Sequence, residues 1–224
     1  MLRVEFHCHT IYSKDCLLKP EKLVETCRRK GIQRVVVTDH NTIAGALRAK
    51  EIDPELVIIG EEIKTQEGEL LAAYMTDEIS PGLPALETIA MLRNQGAFIS
   101  VSHPFDVMRN GHWQLDDLRK IESIVDAIEV FNARCMNSNY NDEAKSFAQE
   151  YGVKGTAGSD AHAAFELGRA TMLLPEFHDA DSLRESMKNV EYQVRLSSPL
   201  VHFTSRYAVW RKAIDPKITA ELYE

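Results

Sequence analysis

Two histidines separated by one residue, His7 and His9, end a short apolar run near the start of the chain. In an extended strand, residues two positions apart project to the same face, so both imidazole rings would point to one side. Neutral imidazole is a common metal ligand, and two rings aimed at one point form a chelating pair. Because two surface histidines could have the same spacing, the prediction of metal chemistry depends on what the rest of the chain repeats.

The same pattern, an apolar run that ends in a polar side chain, recurs along the chain. The later runs that carry it end in an imidazole, a carboxylate or an amide, at His40, Glu62, His103, Asn132, Asp160 and His162, and Asp15 lies in the loop after the first run. In a β/α barrel the carboxyl ends of the strands meet at one face, where the active site lies. We therefore predict one shared metal site at that face.

The apolar periodicity also predicts the elements that would position these side chains. After the first strand, further strands are predicted at residues 32–38, 56–59, 69–75, 97–101, 127–131, 153–157 and 170–174. Helices are predicted at residues 20–30, 42–50, 83–95, 115–123, 139–152 and 181–189, the last capped by Asp181. Alternation of strand and helix is typical of a parallel sheet or barrel.

Length and composition limit the class of protein. The 224 residues, 44% hydrophobic and 27% charged, suit one domain with a buried core, and we expect a single domain over residues 1–224. Within it, residues 195–224 form a C-terminal segment of unknown role, and a terminal helix or arm is predicted at 206–224. The net charge of −8 argues against nucleic-acid binding, which normally needs a basic face.

Neither a membrane segment nor a secretion signal is expected. No apolar run approaches the roughly 18 residues that span a bilayer, and the first residues lack the pattern of a signal peptide. The four cysteines have no zinc-ribbon spacing. We therefore expect a cytoplasmic protein whose cysteines stay reduced and take no part in the site.

Five motifs together resemble the PHP (polymerase and histidinol phosphatase) family. They occur in the family's order and cover nearly the whole chain: His7-Cys8-His9-Thr10, Thr38-Asp39-His40, Gly60-Glu61-Glu62-Ile63, Ser102-His103-Pro104 and Gly158-Ser159-Asp160-Ala161-His162. The resemblance implies an α/β fold, a distorted seven-stranded (β/α) barrel of the TIM-like class. It also implies two or three divalent metal ions, Zn, Mn or Fe, that serve phosphoester hydrolysis.

The resemblance also implies which residues hold each metal. One ion would be held by His7, His9, Glu62 and Asp160. A second would share Glu62 with His103, and Asn132 stands where the histidinol-phosphatase branch usually has a histidine. A third would be held by Asp15, His40 and His162. The preference for Glu62 over the adjacent Glu61 rests on this motif match. Between Glu62 and His103 there is room for only a strand and a helix, so the resemblance is to a short form without an inserted cap domain.

The expected mechanism follows from a carboxylate shared by two cations. Such a pair lies roughly 3.5–4 Å apart, and water that bridges it loses a proton near neutral pH. The resulting hydroxide can attack phosphorus in line while nearby cations neutralise the phosphoryl oxygens. Three arginines are candidates for binding the phosphate: Arg134 first, then Arg109, then Arg169.

Three functions remain open from the sequence. The leading hypothesis is a metal-dependent phosphatase or phosphodiesterase that acts on a small phosphorylated metabolite or nucleotide. The alternatives are a nuclease or proofreading-type module on single-stranded nucleic acid and a catalytically silent metal-binding barrel. Hydrolases of the amidohydrolase type also carry His-x-His after the first strand, but typically with a metal-bridging lysine, and no lysine ends any of the strands named above.

Overall fold

Apolar and β-branched runs form the strands of one curved sheet. The computed structural model describes residues 1–215 and residue 218, and their nine strands belong to this sheet. The strands are β1 (Leu2–Cys8), β2 (Arg34–Val37), β3 (Val57–Lys64), β4 (Glu69–Ala73), β5 (Phe98–Val101), β6 (Ala127–Asn132), β7 (Lys154–Gly158), β8 (Ala170–Leu174) and β9 (Glu191–Val194).

The predicted helices are all present, with bounds shifted by a few residues. They are α1 (Pro20–Arg29), α2 (Ala44–Ile52), α3 (Ala85–Asn94), α4 (Leu115–Ile121), α5 (Ser138–Tyr151), α6 (Ala180–Ser186) and α7 (Val201–Ile214), with a 3-10 turn at Met187–Asn189. The predicted cap of α6 is wrong by two residues. Asp179, not Asp181, accepts a hydrogen bond from Ser182 N at 2.8 Å, because the chain is still extended at Asp179 and enters the helix after it.

The sheet nearly closes into a barrel, in the order β7-β6-β5-β4-β3-β2-β1-β8-β9. Closure occurs where the carboxyl ends of β1 and β7 meet. Asp160 N donates to His7 O at 2.7 Å, and His9 N donates to Ala161 O at 2.9 Å. Two backbone hydrogen bonds at this seam therefore place His7 and His9 directly beside Asp160 and Ala161.

The fold class is confirmed, but the expected count of seven strands is too low. β8 pairs antiparallel with Leu2, Arg3 and Val4, the first half of β1, and β9 extends the sheet beyond β8. β7 can consequently reach β1 only at its carboxyl end. Seven strands, β1 to β7, surround the interior, and the β8–β9 pair is added to the outside of the seam.

The strict alternation of strand and helix is also wrong at two places, because no helix separates β3 from β4 or β7 from β8. β3 and β4 are joined directly, by a turn in which Thr65 N donates to Gly68 O, and β4 runs antiparallel to both β3 and β5. A reversed strand presents its first residue where its neighbours present their last. Glu69, which begins β4, therefore lies at the face where the parallel strands end.

The terminal segment contains a longer helix than the sequence indicated. α7 begins at Val201, five residues before the predicted start, and it is helical to Ile214. The rest of the predicted segment, residues 216–217 and 219–224, lies outside the described residues. Among the described helices, none combines the length and apolarity needed to cross a bilayer.

Candidate metal centre

The end of β1 brings two imidazole rings together as the strand period predicts. The Nε2 atoms of His7 and His9 lie 3.1 Å apart, and both side chains are fully buried. Two carboxylates face the same point. Glu62 Oε2 lies 3.3 and 3.4 Å from the two Nε2 atoms, and Asp160 Oδ1 lies 3.6 and 3.2 Å from them.

These four atoms match the donor set of a small divalent cation. A tetrahedral zinc ion with ligands at about 2.0–2.2 Å holds those ligands about 3.3 Å from one another. Glu62 Oε2 and Asp160 Oδ1 are buried and accept no hydrogen bond of good geometry among the described residues; the polar atoms that face them are imidazole nitrogens. A buried carboxylate oxygen without a partner is costly, and a cation supplies the missing partner.

Two further groups of ligand-type atoms adjoin the first. His103 Nε2 lies 3.1 Å from Glu62 Oε1 and 3.6 Å from Glu69 Oε2. On the other side, Asp15 lies 3.6 Å from His40 Nε2 and 3.3 Å from His162 Nε2. Glu62 contacts both sides of the cluster, because its Oε2 is also 3.0 Å from His40 Nδ1. This arrangement suits a carboxylate shared between ions.

The ring orientations of the first two histidines are set by neighbours that accept a proton from the opposite nitrogen. His7 Nδ1 lies 3.0 Å from Glu129 Oε1, and His9 Nδ1 lies 3.1 Å from Ser13 Oγ. Ser13 Oγ in turn donates to Asp39 Oδ1 at 2.5 Å. These contacts leave the Nε2 atoms free to bind a metal, and they make Asp39 a supporting residue rather than a ligand.

The buried charges shift one another's titration. Burial alone would lower the pKa of His7, but the carboxylates of Glu62, Asp160 and Glu129 outweigh it and raise that pKa well above its usual value. Burial likewise opposes the ionised form of Asp160, yet Arg109 and His7 hold the pKa of its carboxyl well below its usual range. Burial is likewise outweighed at His40, where the carboxylates of Glu62 and Asp15 raise the pKa. By contrast, burial, with the charges of His162 and His40, lowers the pKa of His9 well below its usual value.

The backbone adopts the left-handed region at two of the candidate ligands. Asp160 has φ 51° and His103 has φ 22°, both rare for residues with a side chain. β7 ends at Gly158, and the turn that follows it brings the side chains of Asp160 and His162 to the cluster. A Cβ at Gly158 would collide with His7 Cβ, so only glycine permits this approach.

Two carboxylates of the centre were missed from the sequence, Glu69 and Glu129. Glu69 reaches His103 because β4 is reversed. Glu129 lies inside the apolar strand β6, fully enclosed, and accepts hydrogen bonds from His103 N at 2.9 Å and from Asn132 Nδ2 at 3.1 Å. An ionisable residue in the middle of a buried strand was the available signal for Glu129.

Replacing Glu129 tests whether it orients the cluster. In Glu129→Gln one oxygen becomes an NH₂ group, so His7 Nδ1, His103 N or Asn132 Nδ2 loses its acceptor. We expect metal affinity to fall roughly 10- to 100-fold, the usual cost of losing a partner that orients a ligand. Titration of the metal-depleted variant with Zn²⁺ or Mn²⁺ measures this loss. Wild-type affinity in a correctly folded variant would contradict the role.

Asn132 is close to the cluster but offers it no oxygen. Its Oδ1 accepts from Arg134 N at 2.9 Å, while its Nδ2 donates to Glu129 Oε2 and, at 3.2 Å, to Asp160 Oδ2. The geometry therefore does not support the prediction that Asn132 is a metal ligand. Its NH₂ group instead holds two carboxylates of the centre in place.

The three candidate arginines differ in what they contact. Arg134 is buried, with Nε 3.1 Å from Glu166 Oε2, and its terminal nitrogens contact His162 Nδ1, Ser205 Oγ and Val201 O. Those partners occupy all three of its nitrogens. Arg134 therefore ties α7 to the end of β6.

Of the other two arginines, Arg109 contacts the ligand cluster and Arg169 does not line the cavity. Arg109 Nη2 lies 2.6 Å from Asp160 Oδ2, and Arg109 Nε donates to Asp106 at 3.2 Å. Arg169 does not line the cavity beside the centre. Its charge lies close enough to Lys30 to help burial lower the pKa of that lysine, so the position of Arg169 gives no support to a role in phosphate binding.

The adjacent glutamates point in opposite directions. Glu62 faces the cluster, whereas Glu61 Oε2 accepts a hydrogen bond from Ile79 N at 3.1 Å, because neighbouring residues of a strand point to opposite faces. Burial raises the pKa of Glu61 to about 8 despite that hydrogen bond, and the charge of Glu78 adds to the rise. Glu61 is thus a matched control for Glu62.

This raised pKa predicts a pH-dependent stability. Folded Glu61 keeps a proton that the unfolded chain releases above its usual pKa of 4.5, so its stabilisation is present in acid and is lost as pH rises towards 8. We expect the free energy of unfolding of Glu61→Gln to fall less than that of the wild type between pH 5 and 8, by on the order of 3 kcal/mol. Urea denaturation across that range measures the difference, and parallel curves would contradict it.

A cavity of about 500 Å³ opens beside the centre. Asp15, His40 and His162 form part of its wall, together with Arg109 and Arg134. The start of α7 completes the wall, and His202 from this helix lies with Nε2 3.1 Å from Arg134 O. Sequence patterning had left His202 outside the site, because no strand precedes it. The ligand cluster is therefore open to a small molecule from the α7 side.

Comparisons with known proteins agree with this centre. A family model described as PHP-associated matches residues 138–191, a stretch that contains Asp160 and His162. The protein MJ0417 of Methanocaldococcus jannaschii is 34% identical over 181 residues, which cover 79% of this chain and 72% of that protein.

Solved structures share the fold at low sequence identity. A two-domain protein from Bacteroides vulgatus that contains a predicted PHP-like metal-dependent phosphoesterase superposes with a TM-score of 0.70 at 19% identity, over 92% of this chain and 69% of that one. The lesion-specific endonuclease EndoQ of Pyrococcus furiosus gives a TM-score of 0.58 at 15% identity, over 88% and 59%. From the five motifs, the ligand cluster, the family model and the 34% identical relative, the chain belongs to the PHP domain family.

Proposed function

We propose that this centre hydrolyses phosphate esters of small metabolites or nucleotides with the help of divalent metal ions. One observation carries the proposal: five histidines and the carboxylates of Asp15, Glu62 and Asp160 converge on one buried cluster that opens to a cavity. Two carboxylate oxygens of the cluster accept no well-formed hydrogen bond among the described residues and face imidazole nitrogens instead. Membership in a family with metal-dependent phosphoesterase relatives supports the same reaction class.

The ligand roles follow from the contacts. His7, His9, Glu62 and Asp160 would hold one ion, His103 with Glu62 and Glu69 a second, and Asp15, His40 and His162 a third. When bound, the ions, whether Zn, Mn or Fe, would lower the pKa of water to give a nucleophile near neutral pH and would neutralise charge on the phosphoryl group. With metal bound, Glu129 and Ser13 would accept the Nδ1 protons of the two leading imidazoles, so that Nε2 of each ring could bind the ion.

Arg109 is the arginine best placed to contact the substrate phosphate. It lines the cavity, and its Nη1 has no hydrogen bond or ion pair among the described residues. Because Nε and Nη2 are held by Asp106 and Asp160, the guanidinium is fixed in orientation before a substrate binds. A preorganised donor of this kind stabilises charge that develops in a transition state. Arg134, which has its nitrogens occupied, would instead position His162 and α7.

A substrate screen on the purified protein, with elemental analysis of the same sample, tests the proposal. We expect phosphomonoesters or small phosphodiesters to be hydrolysed, with activity lost on chelation and restored by Zn²⁺ or Mn²⁺. Bound metal without turnover on any phosphoester would instead indicate a silent metal-binding barrel. Preferential degradation of single-stranded DNA would indicate a nuclease, a result that the net charge of −8 argues against.

A further inference from the structure

The outer wall of the cavity is apolar although it faces solvent. Four large side chains on this wall are largely exposed: Leu200 and Phe203 at the start of α7 (68% and 62%), Met108 (68%) and Met136 (54%). Exposed apolar side chains that gather at one place mark a surface which a ligand or partner covers. This wall, which we name the α7 wall, adjoins the candidate metal ligands, so its occupant would contact both.

Apart from the candidate metal ligands, Arg109 Nη1 and Arg206, the polar groups of the same cavity are already engaged by protein. Ser205 Oγ accepts from both terminal nitrogens of Arg134 at 3.1 Å, and His202 Nε2 lies 3.1 Å from Arg134 O. Asp106 and Arg109 pair with each other. A ligand rich in hydroxyl groups would lose its water here and gain few partners, which is unfavourable. An apolar ligand loses no hydrogen bonds.

Besides Arg109, a second cation of the cavity is available for a ligand. Arg206 lies one turn after Phe203 on α7 and has neither an ion pair nor a hydrogen bond among residues 1–215. A guanidinium is planar and stacks on aromatic rings. A flat ring of a ligand could therefore stack on the Arg206 guanidinium while it contacts Phe203 of the apolar wall.

The α7 wall is fixed relative to the metal centre. Arg134 Nη2 donates to Val201 O at 2.7 Å at the start of the helix. Towards its end, Lys212 Nζ donates to Ile11 O and Ser13 O at 2.6 Å, in the loop whose Ser13 side chain contacts His9. Phe203 is thus held between two anchors, and a preorganised wall loses little entropy when it binds.

We propose that the α7 wall binds the organic part of the substrate and selects phosphate esters of aromatic or similarly flat, apolar groups over those of polyols and sugars. The inference rests on the proposed function, since it places the phosphate at the metal cluster. It adds the class of substrate, and it assigns the selection between aromatic and polyol esters to Phe203, Leu200, Met108 and Met136.

The test compares two phosphonates that cannot be hydrolysed at the P–C bond by this chemistry, phenylphosphonate and methylphosphonate. Both present the same anionic group to the metal-loaded protein, and they differ only in the apolar part. We expect calorimetry to give about tenfold tighter binding of phenylphosphonate, the gain from burying roughly half a ring. Phe203→Ala should remove most of that difference. Tyr207→Ala, one turn further on the same helix, exposed and outside the cavity wall, should preserve it.

Each other outcome has a defined meaning. Equal affinities, or no binding of either phosphonate, would overturn the assignment, and so would equal effects of the two substitutions. A protein that is dimeric and dissociates in Phe203→Ala, with phosphonate affinities unchanged, would show that Phe203 contacts a second copy instead. Selective binding without turnover of any ester would overturn the proposed hydrolysis while supporting the cavity assignment, so the two proposals fail separately.

Discussion

Glu62→Gln should abolish phosphoester hydrolysis, with kcat/KM reduced on the order of 10³-fold or more. The Glu62 carboxylate lies within 3.4 Å of nitrogens from His7, His9, His40 and His103, so it contacts all three groups of candidate ligands. An amide has the same size but lacks the charge that holds cations together. The loss corresponds to the several kcal/mol that metal ions contribute to stabilising a transition state.

The neighbouring residue provides the control. Glu61→Gln makes the same chemical change one position earlier, on the opposite face of β3, where the side chain contacts Ile79 N. We expect this variant to keep wild-type kcat/KM within a factor of about two, because the substitution changes the stability of the fold and not the ligand cluster. Metal content measured on both variants completes the comparison. Equal activity of the two variants would rule out a shared carboxylate at Glu62.

Removal of metal should lower the midpoint of thermal unfolding by about 10 °C near pH 8. A cation present at about 1,000 times its dissociation constant stabilises the folded state by about 4 kcal/mol, and each kcal/mol shifts the midpoint of a domain this size by about 2–4 °C. The buried oxygens of Glu62 and Asp160, which accept no well-formed hydrogen bond among the described residues, are the structural source of this dependence. Calorimetry with and without a chelator measures the shift.

The size of this shift should depend on pH in a definite direction. In the metal-free protein, burial lowers the pKa of His7, but the surrounding carboxylates outweigh burial and raise that pKa well above its usual value. Protonated His7 therefore stabilises the metal-free protein in acid, and this stabilisation is lost as the pH rises through the raised pKa. Protons also compete with the metal for the same nitrogen. The difference between loaded and chelated protein should consequently shrink from pH 8 to pH 6.

Two further measurements distinguish metal binding from a general effect of the chelator. Glu62→Gln should show little change on chelation, because it has already lost the shared carboxylate. Metal binding should also release protons, visible as a dependence of the calorimetric heat on the ionisation enthalpy of the buffer. A shift that is independent of pH, or equal in wild type and Glu62→Gln, would contradict the assignment of the cluster.

Much of the centre could be predicted from local pattern. A strand alternates its side chains with a period of two, so His7 and His9 had to share a face once β1 formed. The carboxyl ends of parallel strands collect at one edge, so His40, Glu62 and His103 followed from the apolar runs before them. These rules involve only residues close in the chain.

The tertiary structure decided what depends on distant contacts. Glu69 joins the centre because β4 is reversed, and Glu129 because it projects from within a buried strand. Arg134 was the leading candidate for phosphate binding, yet its guanidinium is occupied by Ser205 and Val201, about 70 positions away. No local pattern encodes such a pairing. The α7 wall has the same origin, since a helix at the end of the chain gains its role only from where it packs.

The amino-acid sequence by itself determined which ligand-type side chains follow each strand, because residue types and their spacing are properties of single strands and the turns that follow them. Only the tertiary structure decided which nitrogen or oxygen atoms remain free for a metal or a substrate. That outcome depends on which distant side chains contact each atom in the folded protein, and on the direction in which each strand runs in the sheet.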